Sequence, residues 1–397
     1  MNQRELFLRH VGQTSDAPLA IEMVKAHGCK MWDAAGKEYI DLIGGISVCN
    51  IGHCHPQVVE AVSAQASQYM HLMVYGELIE SPQVTYAQKL AGLLPSVLDS
   101  VYFTSSGTEA TEGAMKLAKR ITGRTQIAAF HESYHGSTQG ALSVMGSEYW
   151  RNAFRPLLPG IMHLQHNLPE DLNRIDETVA CVIAEPIQAE RGVVVPDRNW
   201  MQALRDRCTE TGTLLILDEI QTGFGRTGSL FAFEQFGIVP DILLLGKALG
   251  GGMPLGAFVS SKEKMDAFTN NPVLGHITTF GGHPVCCAAG EAALDVLLKE
   301  NLINDVDWKA SLFQKALVHP LINSFRSAGL LMAIEFASWE INKAVIDECI
   351  RRGVFTDWFL FASNCMRLAP PLTIAEQEIE KAVGIILSAC DTIRHKA

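Results

Sequence analysis

The sequence has no apolar run near the roughly 18 residues that a bilayer-spanning helix needs, which argues against a helical membrane protein. Its opening stretch, MNQRELFLRHVGQTSD, mixes charges of both signs and lacks the continuous apolar core of a secretion signal, so the expectation is a cytoplasmic protein. Basic clusters are scarce. None is longer than KLAKR and the formal net charge is −11, leaving no electrostatic footprint for nucleic acid or an anionic membrane; the expected partner is a small molecule. The ten cysteines include no CxxC pair, which suits reduced core thiols better than a disulfide framework. The one local cluster is His53, Cys54 and His55, with Cys49 upstream. Neighbours in an extended chain point to opposite sides, so His53 and Cys54 do not readily share a metal, and none is expected. Nor is there a GxxxxGK[ST] loop, so LLILDE imitates a Walker B strand without its P-loop. Repeats and low-complexity linkers are absent as well.

What is present is a long α/β pattern. A chain of 397 residues suits a large domain plus a smaller one. Short apolar runs, SVYFT (100–104), TQIAAF (125–130), VACVIAE (179–185), TLLILDE (213–219) and DILLLG (241–246), alternate with helix-like segments. This alternation predicts a mostly parallel sheet covered on both faces. Before it, CKMWDAAGKEYIDLIGG reads as short strands turning at Gly36; after it, HPVCCAAGEAALDVLLKEN (283–301) reads as a long helix leading into an α+β portion. The expected organisation is a large domain over 46–285 and a small domain from 1–45 and 286–397.

Ligands on such sheets bind at the carboxyl ends of the strands, so the polar residues ending these runs matter most. Ser105, Ser106, Gly107 and Thr108 end the first run and open a helix with Ala110, Ala114, Leu117 and Ile121 on one face. Its free N–H groups and positive dipole end form a seat for a phosphate; the plainer alternative is an ordinary Ser/Thr cap. GFGRTG (223–228) matches GxGxxG, with Asp241 downstream. In a dinucleotide fold, however, the acid ends the next strand, whereas Asp241 begins one; the glycines are read as a tight loop. Asp218, Lys247 and Glu185 each end a strand. If those strands are neighbours, carboxylate and amine emerge on one rim. A salt bridge accounts for that pair but not for the glycines that crowd the lysine. Pyridoxal phosphate accounts for more. It needs a lysine for the Schiff base, an acid for its pyridine nitrogen, an anion seat and a flat group for the ring; Lys247, Asp218, the Ser106-Gly107-Thr108 helix start and Tyr134 in FHESYHG are the candidates.

With these residues in place, the chain resembles the class III family of pyridoxal-phosphate aminotransferases. GGISVCNIGHCHP, SSGTEATEGAMKLAKR, YHGS, AEPIQAERGVVVP, LILDEIQTGFGRTG, LLLGKALGGGMPLGA, TTFGGHP and RLAPPL occur in the family's order. The resemblance implies the aspartate-aminotransferase-like α/β fold (PLP fold type I). It makes Lys247 the imine-forming and proton-transferring lysine and Asp218 the partner of the pyridinium. Gly107 and Thr108 hold the phosphate, Tyr134 stacks on the ring, Ile220 packs on the other face and Gln221 lies near the phenolic oxygen, with Ser106 and Glu185 also at the cofactor. It further implies a homodimer in which the Thr278/Thr279 pair is contributed across the interface and Thr279 reaches the neighbouring subunit's phosphate. Arg367 binds the substrate carboxylate, gated by Glu190, with Arg191 and Tyr75 as further substrate-binding candidates.

The implied reaction moves an amino group from an ω-amino or basic amino acid, ornithine- or acetylornithine-like, to a 2-oxo acid such as 2-oxoglutarate by a ping-pong route. Two positions depart from those relatives. Ser137 stands where many carry an arginine after YHG, and Ile46 where a tyrosine helps bind ornithine; Arg191 is the candidate for the missing charge. The alternatives are an aminomutase, racemase or decarboxylase on the same fold, a non-catalytic relative that binds only cofactor or partner, and a nicotinamide dehydrogenase.

Overall fold

The computed structural model describes residues 2–395; positions 1, 396 and 397 of the expected small domain lie outside them. After a short helix, Gln3–His10, comes a ribbon of three antiparallel strands: β1 (Met23–His27), β2 (Lys30–Asp33) and β3 (Glu38–Asp41). The turn between β2 and β3 contains Gly36 at φ 80, a left-handed conformation that glycine adopts without a Cβ clash.

The large sheet follows. Its strands are β4 (Ser100–Thr104), β5 (Gln126–Phe130), β6 (Ile161–Leu164), β7 (Val179–Ala184), β8 (Leu214–Asp218), β9 (Ile242–Leu245) and β10 (Gly256–Ser260), in the order β4-β10-β9-β8-β7-β5-β6. The neighbouring pairs from β9 to β6 are parallel, and β10 runs antiparallel to both β4 and β9. Every residue of β7, β8 and β9 is buried, as strands with both faces covered require. All five expected runs form strands of this sheet. β6 and β10 were not among them: IMHL carries a histidine within its apolar run, and GAFVS follows directly on the glycine-rich stretch.

The Gly107–Thr122 helix buries Ala110, Ala114, Leu117 and Ala118 and packs against β7, β9 and β10. It stops at Gly123, φ 69, with Lys119 and Arg120 in its last turn beside the negative dipole end. The expected long helix spans Pro284–Lys299 and packs on the helices Pro56–Gln68 and Ser81–Leu93.

The two ends of the chain meet in one sheet. After the long helix come β11 (Ser324–Ala328), β12 (Leu331–Glu335), β13 (Val354–Phe355), β14 (Asp357–Phe359) and β15 (Ala362–Leu368). β13 adds in parallel to β3, and the other four form a separate antiparallel sheet, β11-β12-β15-β14. GFGRTG lies where these parts join. Gly225 and Gly228 turn at φ 85 and 90, and a Cβ at Gly225 would come within 2.9 Å of Ile303. Between them Arg226 is fully buried and donates to the carbonyls of Leu330 (3.0 Å) and Pro370 (2.6 Å) and to Asn50 Oδ1 (2.6 Å). Burial pushes its pKa down to about 9. The motif thus ties three chain regions together, and its role here is architectural.

Candidate active site

Because β7, β8 and β9 are parallel neighbours, their carboxyl ends share one rim. Asp218 is the last residue of β8, Glu185 the first beyond β7 and Lys247 the second beyond β9. Lys247 adopts φ 49, an uncommon left-handed conformation for a residue with a side chain, as the chain turns sharply into a 3-10 segment. These residues surround a cavity of about 300 Å³. Of the expected site residues, Gly107, Thr108, Tyr134, Glu185, Glu190, Asp218, Ile220, Gln221 and Lys247 line it, as does Ser137.

Lys247 and Asp218 do not pair with one another in a salt bridge, the simpler account of their placement. The Lys247 amine donates to Gln221 Oε1 at 2.7 Å, leaving Gln221 Nε2 buried without a partner. Desolvation lowers the Lys247 pKa from 10.5 to about 8; Glu190 opposes that shift and the Arg367 charge adds to it. Asp218 accepts the Ile220 N–H at 3.0 Å through Oδ1, while Oδ2 lies 2.7 Å from His135 Nδ1. His135 is buried and lines the cavity, yet the sequence reading passed over it. Its only signal was its place in YHGS, directly after Tyr134. Glu185 accepts the Tyr134 N–H (3.0 Å) and the Ala189 N–H (3.1 Å), and burial lifts its pKa to about 7.

Glu190 and Arg367 form a second layer. Two parallel hydrogen bonds join them, Nη1 to Oε1 at 2.8 Å and Nη2 to Oε2 at 2.9 Å, with the residues only 4% and 2% exposed. Burial, the largest single influence, would raise the Glu190 pKa, but the Arg367 charge and hydrogen bonds, the Leu360 N–H and the Lys247 charge together outweigh it and hold the carboxyl below its ordinary value. Arg367 also donates to the Trp358 carbonyl, forms an ion pair with Asp357 at 3.0 Å and lies over the Phe359 ring. Glu190 is held by the Leu360 N–H at 3.0 Å.

The helix start supplies the remaining wall. Ser106 is the N-cap residue, its hydroxyl accepting the Glu109 N–H, and it is not among the residues that line the cavity. Gly107 leaves room for Ile220: a Cβ there would lie 2.8 Å from Ile220 Cδ1. Thr108 contacts the loop after β5, where Gly136 at φ 125 has no space for a Cβ against the Thr108 side chain.

Four expected residues lie elsewhere in the chain. Arg191 turns to Glu132, 2.7 Å away, and to Gln188. Tyr75 and Thr278 line a different hollow together, and Thr279 is exposed beside them. Ile46, one of the two departures, lies in a left-handed turn at φ 63 and is partly exposed. In the His53, Cys54, His55 cluster, His53 bonds Asp41 at 2.7 Å and His55 lies 3.6 Å from Glu300.

An amine, a buried carboxylate, a helix start and a buried Gln221 amide nitrogen with no partner among the described residues, all around one cavity, match the functional groups of pyridoxal phosphate. The comparisons with known proteins agree. The family described as aminotransferase class-III matches residues 11–390. The acetylornithine aminotransferase of Methanopyrus kandleri is 40% identical over 395 residues, covering 98% of this chain and 99% of that one. Among solved structures, an ornithine aminotransferase from Toxoplasma gondii with partial occupancy of PLP at its active site superposes with a TM-score of 0.91. It is 30% identical, over 99% of this chain and 94% of that one. An (S)-enantioselective omega-transaminase from Thermomicrobium roseum gives a TM-score of 0.90 at 30% identity, over 99% of both chains. The chain therefore belongs to the class III aminotransferases, pyridoxal-phosphate-dependent transaminases with the aspartate-aminotransferase-like fold.

Proposed function

We propose that this transaminase takes an amino group from an ω-amino or basic amino acid, ornithine- or acetylornithine-like, and delivers it to 2-oxoglutarate in two alternating half-reactions. The observation that carries the donor class is the closed Glu190–Arg367 pair beside Lys247. A guanidinium already occupied by a carboxylate does not attract a donor's α-carboxylate, so an amine distal to that group meets no charge demand there. When Glu190 swings away, the same guanidinium receives the carboxylate of glutamate or 2-oxoglutarate. One site thereby serves both substrates.

Pyridoxal phosphate supplies an aldehyde for the amine and a ring that withdraws electrons from the substrate carbon. In this reading Lys247 Nζ carries the proton between substrate carbon and cofactor, a task favoured by a lowered pKa that leaves a sizeable fraction of the amine neutral near pH 8. Asp218, fixed by His135 and the Ile220 N–H, holds a proton on the ring nitrogen. Gly107 and Thr108 hold the phosphate, Tyr134 and Ile220 the ring, and Gln221 the phenolic oxygen. Glu185 orders the loop bearing Tyr134 through that residue's N–H.

The reading includes a homodimer, with Thr278 and Thr279 reaching the neighbouring site. Its support is a face of exposed apolar side chains, Met70, Leu72 and Ile79 with Val273, Ile277 and Phe280, on the two segments flanking these threonines and Tyr75. It also divides the chain into a large unit over 46–285 and a small one from 1–45 and 286–397, supported by the pairing of β3 with β13. The test is a panel of donors with 2-oxoglutarate, scored for glutamate formed. Turnover with ornithine, acetylornithine, lysine, 4-aminobutyrate or a simple diamine supports the donor class; inertness of all of them removes it.

A further inference from the structure

Outside the cavity, Glu112 is the hub of a short hydrogen-bond chain that ends on one of its walls. Glu112 Oε1 accepts from the Thr138 hydroxyl (2.6 Å) and from the Gly140 (2.8 Å) and Ala141 (3.1 Å) N–H groups at the start of the Gln139–Val144 helix. The Thr138 hydroxyl lies 2.7 Å from that of Thr108, and the Thr138 N–H donates to Thr108 Oγ1 at 3.2 Å. A hydroxyl has one proton to give. Thr138 gives its proton to Glu112, so Thr108 must donate to Thr138. The direction of the whole chain is therefore set by the carboxylate.

Two walls of the cavity are joined by this chain. Thr108 belongs to the first turn of the Gly107–Thr122 helix, whereas Thr138 belongs to the loop carrying Tyr134, His135 and Ser137. The walls also touch directly, because a Cβ on Gly136 would overlap Thr108 Oγ1 at 2.3 Å. A second tie, from Thr111 Oγ1 to the His135 carbonyl at 3.0 Å, comes from the helical residue beside Glu112. Side chains that lock a binding group in place raise affinity by removing the cost of ordering it on binding.

We propose that Glu112 and Thr138 are positioning residues for the cofactor's phosphate: because the Thr108 hydroxyl gives its proton to Thr138, Thr108 would meet the phosphate through its backbone N–H, which this side-chain chain holds in place. The inference rests on the reading of Gly107 and Thr108 as the phosphate seat. The test uses enzyme stripped of cofactor and titrated separately with pyridoxal phosphate and with pyridoxal, which has the same aldehyde and ring but no phosphate. Thr138→Val keeps the shape and removes the hydroxyl. It is expected to weaken pyridoxal phosphate about tenfold, because the ordering of the Thr108 turn that the Thr138–Glu112 bond supplies must then be met on binding, while pyridoxal affinity stays at the wild-type value. Glu112→Gln, which retains an acceptor oxygen for Thr138 and both amides, is expected to keep the wild-type ratio of the two affinities. An unchanged ratio in Thr138→Val overturns the inference, as does a loss in Glu112→Gln equal to that in Thr138→Val, which would implicate charge rather than position. Equal binding of the two vitamers by the wild type would instead defeat the phosphate-seat reading itself.

Discussion

Glu190→Ala removes the carboxylate that occupies the Arg367 fork and leaves the rest of the cavity lining unchanged. Under the proposed gating, a glutamate carboxylate reaches that fork only after two buried hydrogen bonds, 2.8 and 2.9 Å long, have been given up. Each such charged contact nets about 1.5–3 kcal/mol, and Asp357 and the Trp358 carbonyl stay on the guanidinium to share the loss. The barrier to opening is then comparable to one contact rather than two. Its removal tightens glutamate binding about 10- to 100-fold. The assay is a single-turnover titration of each half-reaction, followed by the cofactor's absorbance, with glutamate and with an ω-amino donor. The variant is expected to bind glutamate more tightly and to lose the proposed preference for the ω-amine. Unchanged glutamate affinity in a variant with wild-type circular dichroism would refute the gating argument.

Other consequences are open to simpler measurements. Covalent capture of pyridoxal phosphate by the stripped enzyme requires the neutral amine, so its rate should rise with pH and level off with a midpoint near 8, the value to which burial lowers Lys247; a midpoint near 10.5 would contradict the buried environment. Burial lifts Glu185 from 4.5 to about 7, so the folded chain holds the extra proton between those values and loses stability as pH rises through them. The loss attributable to Glu185 is about 3 kcal/mol across the window. Urea unfolding of the stripped enzyme at pH 5 and 8 should therefore show a smaller difference in Glu185→Gln than in the wild type; an equal difference would sink the assignment. Arg226→Ala strands three buried acceptors and is expected to destabilise the fold by on the order of 3 kcal/mol. A denaturation midpoint equal to the wild type's would show that GFGRTG is not the tie between chain regions.

What was legible in the sequence follows from how far each signal reaches along the chain. Lys247, Asp218 and Glu185 end short, wholly apolar runs, and a polar residue at such a place is conspicuous without any knowledge of pairing. The adjacency of β7, β8 and β9 then brings them together. His135 gave no comparable signal, because its importance lies in a contact with Asp218, 83 positions away. The same holds for Glu112, which looks like one more charged residue on an amphipathic helix until the loop after β5 folds onto it. Arg226 was hidden by its own motif: the glycines around it explain a turn, whereas its charge is spent on carbonyls from distant segments. Arg191 was suggested by its position beside Glu190, but the two lie in a turn closed by the Gly192 and Val193 N–H groups on the Ala189 carbonyl, and Arg191 meets Glu132 instead. Tyr75, Thr278 and Thr279 lie away from the cavity in a single chain, so any role there depends on a second subunit.

The most direct test of the account is borohydride reduction of the holoenzyme followed by peptide mass mapping. The account predicts one modified peptide per chain, carrying a phosphopyridoxyl group on Lys247. Modification at another lysine, or an unaltered Lys247 peptide despite added cofactor, would contradict it.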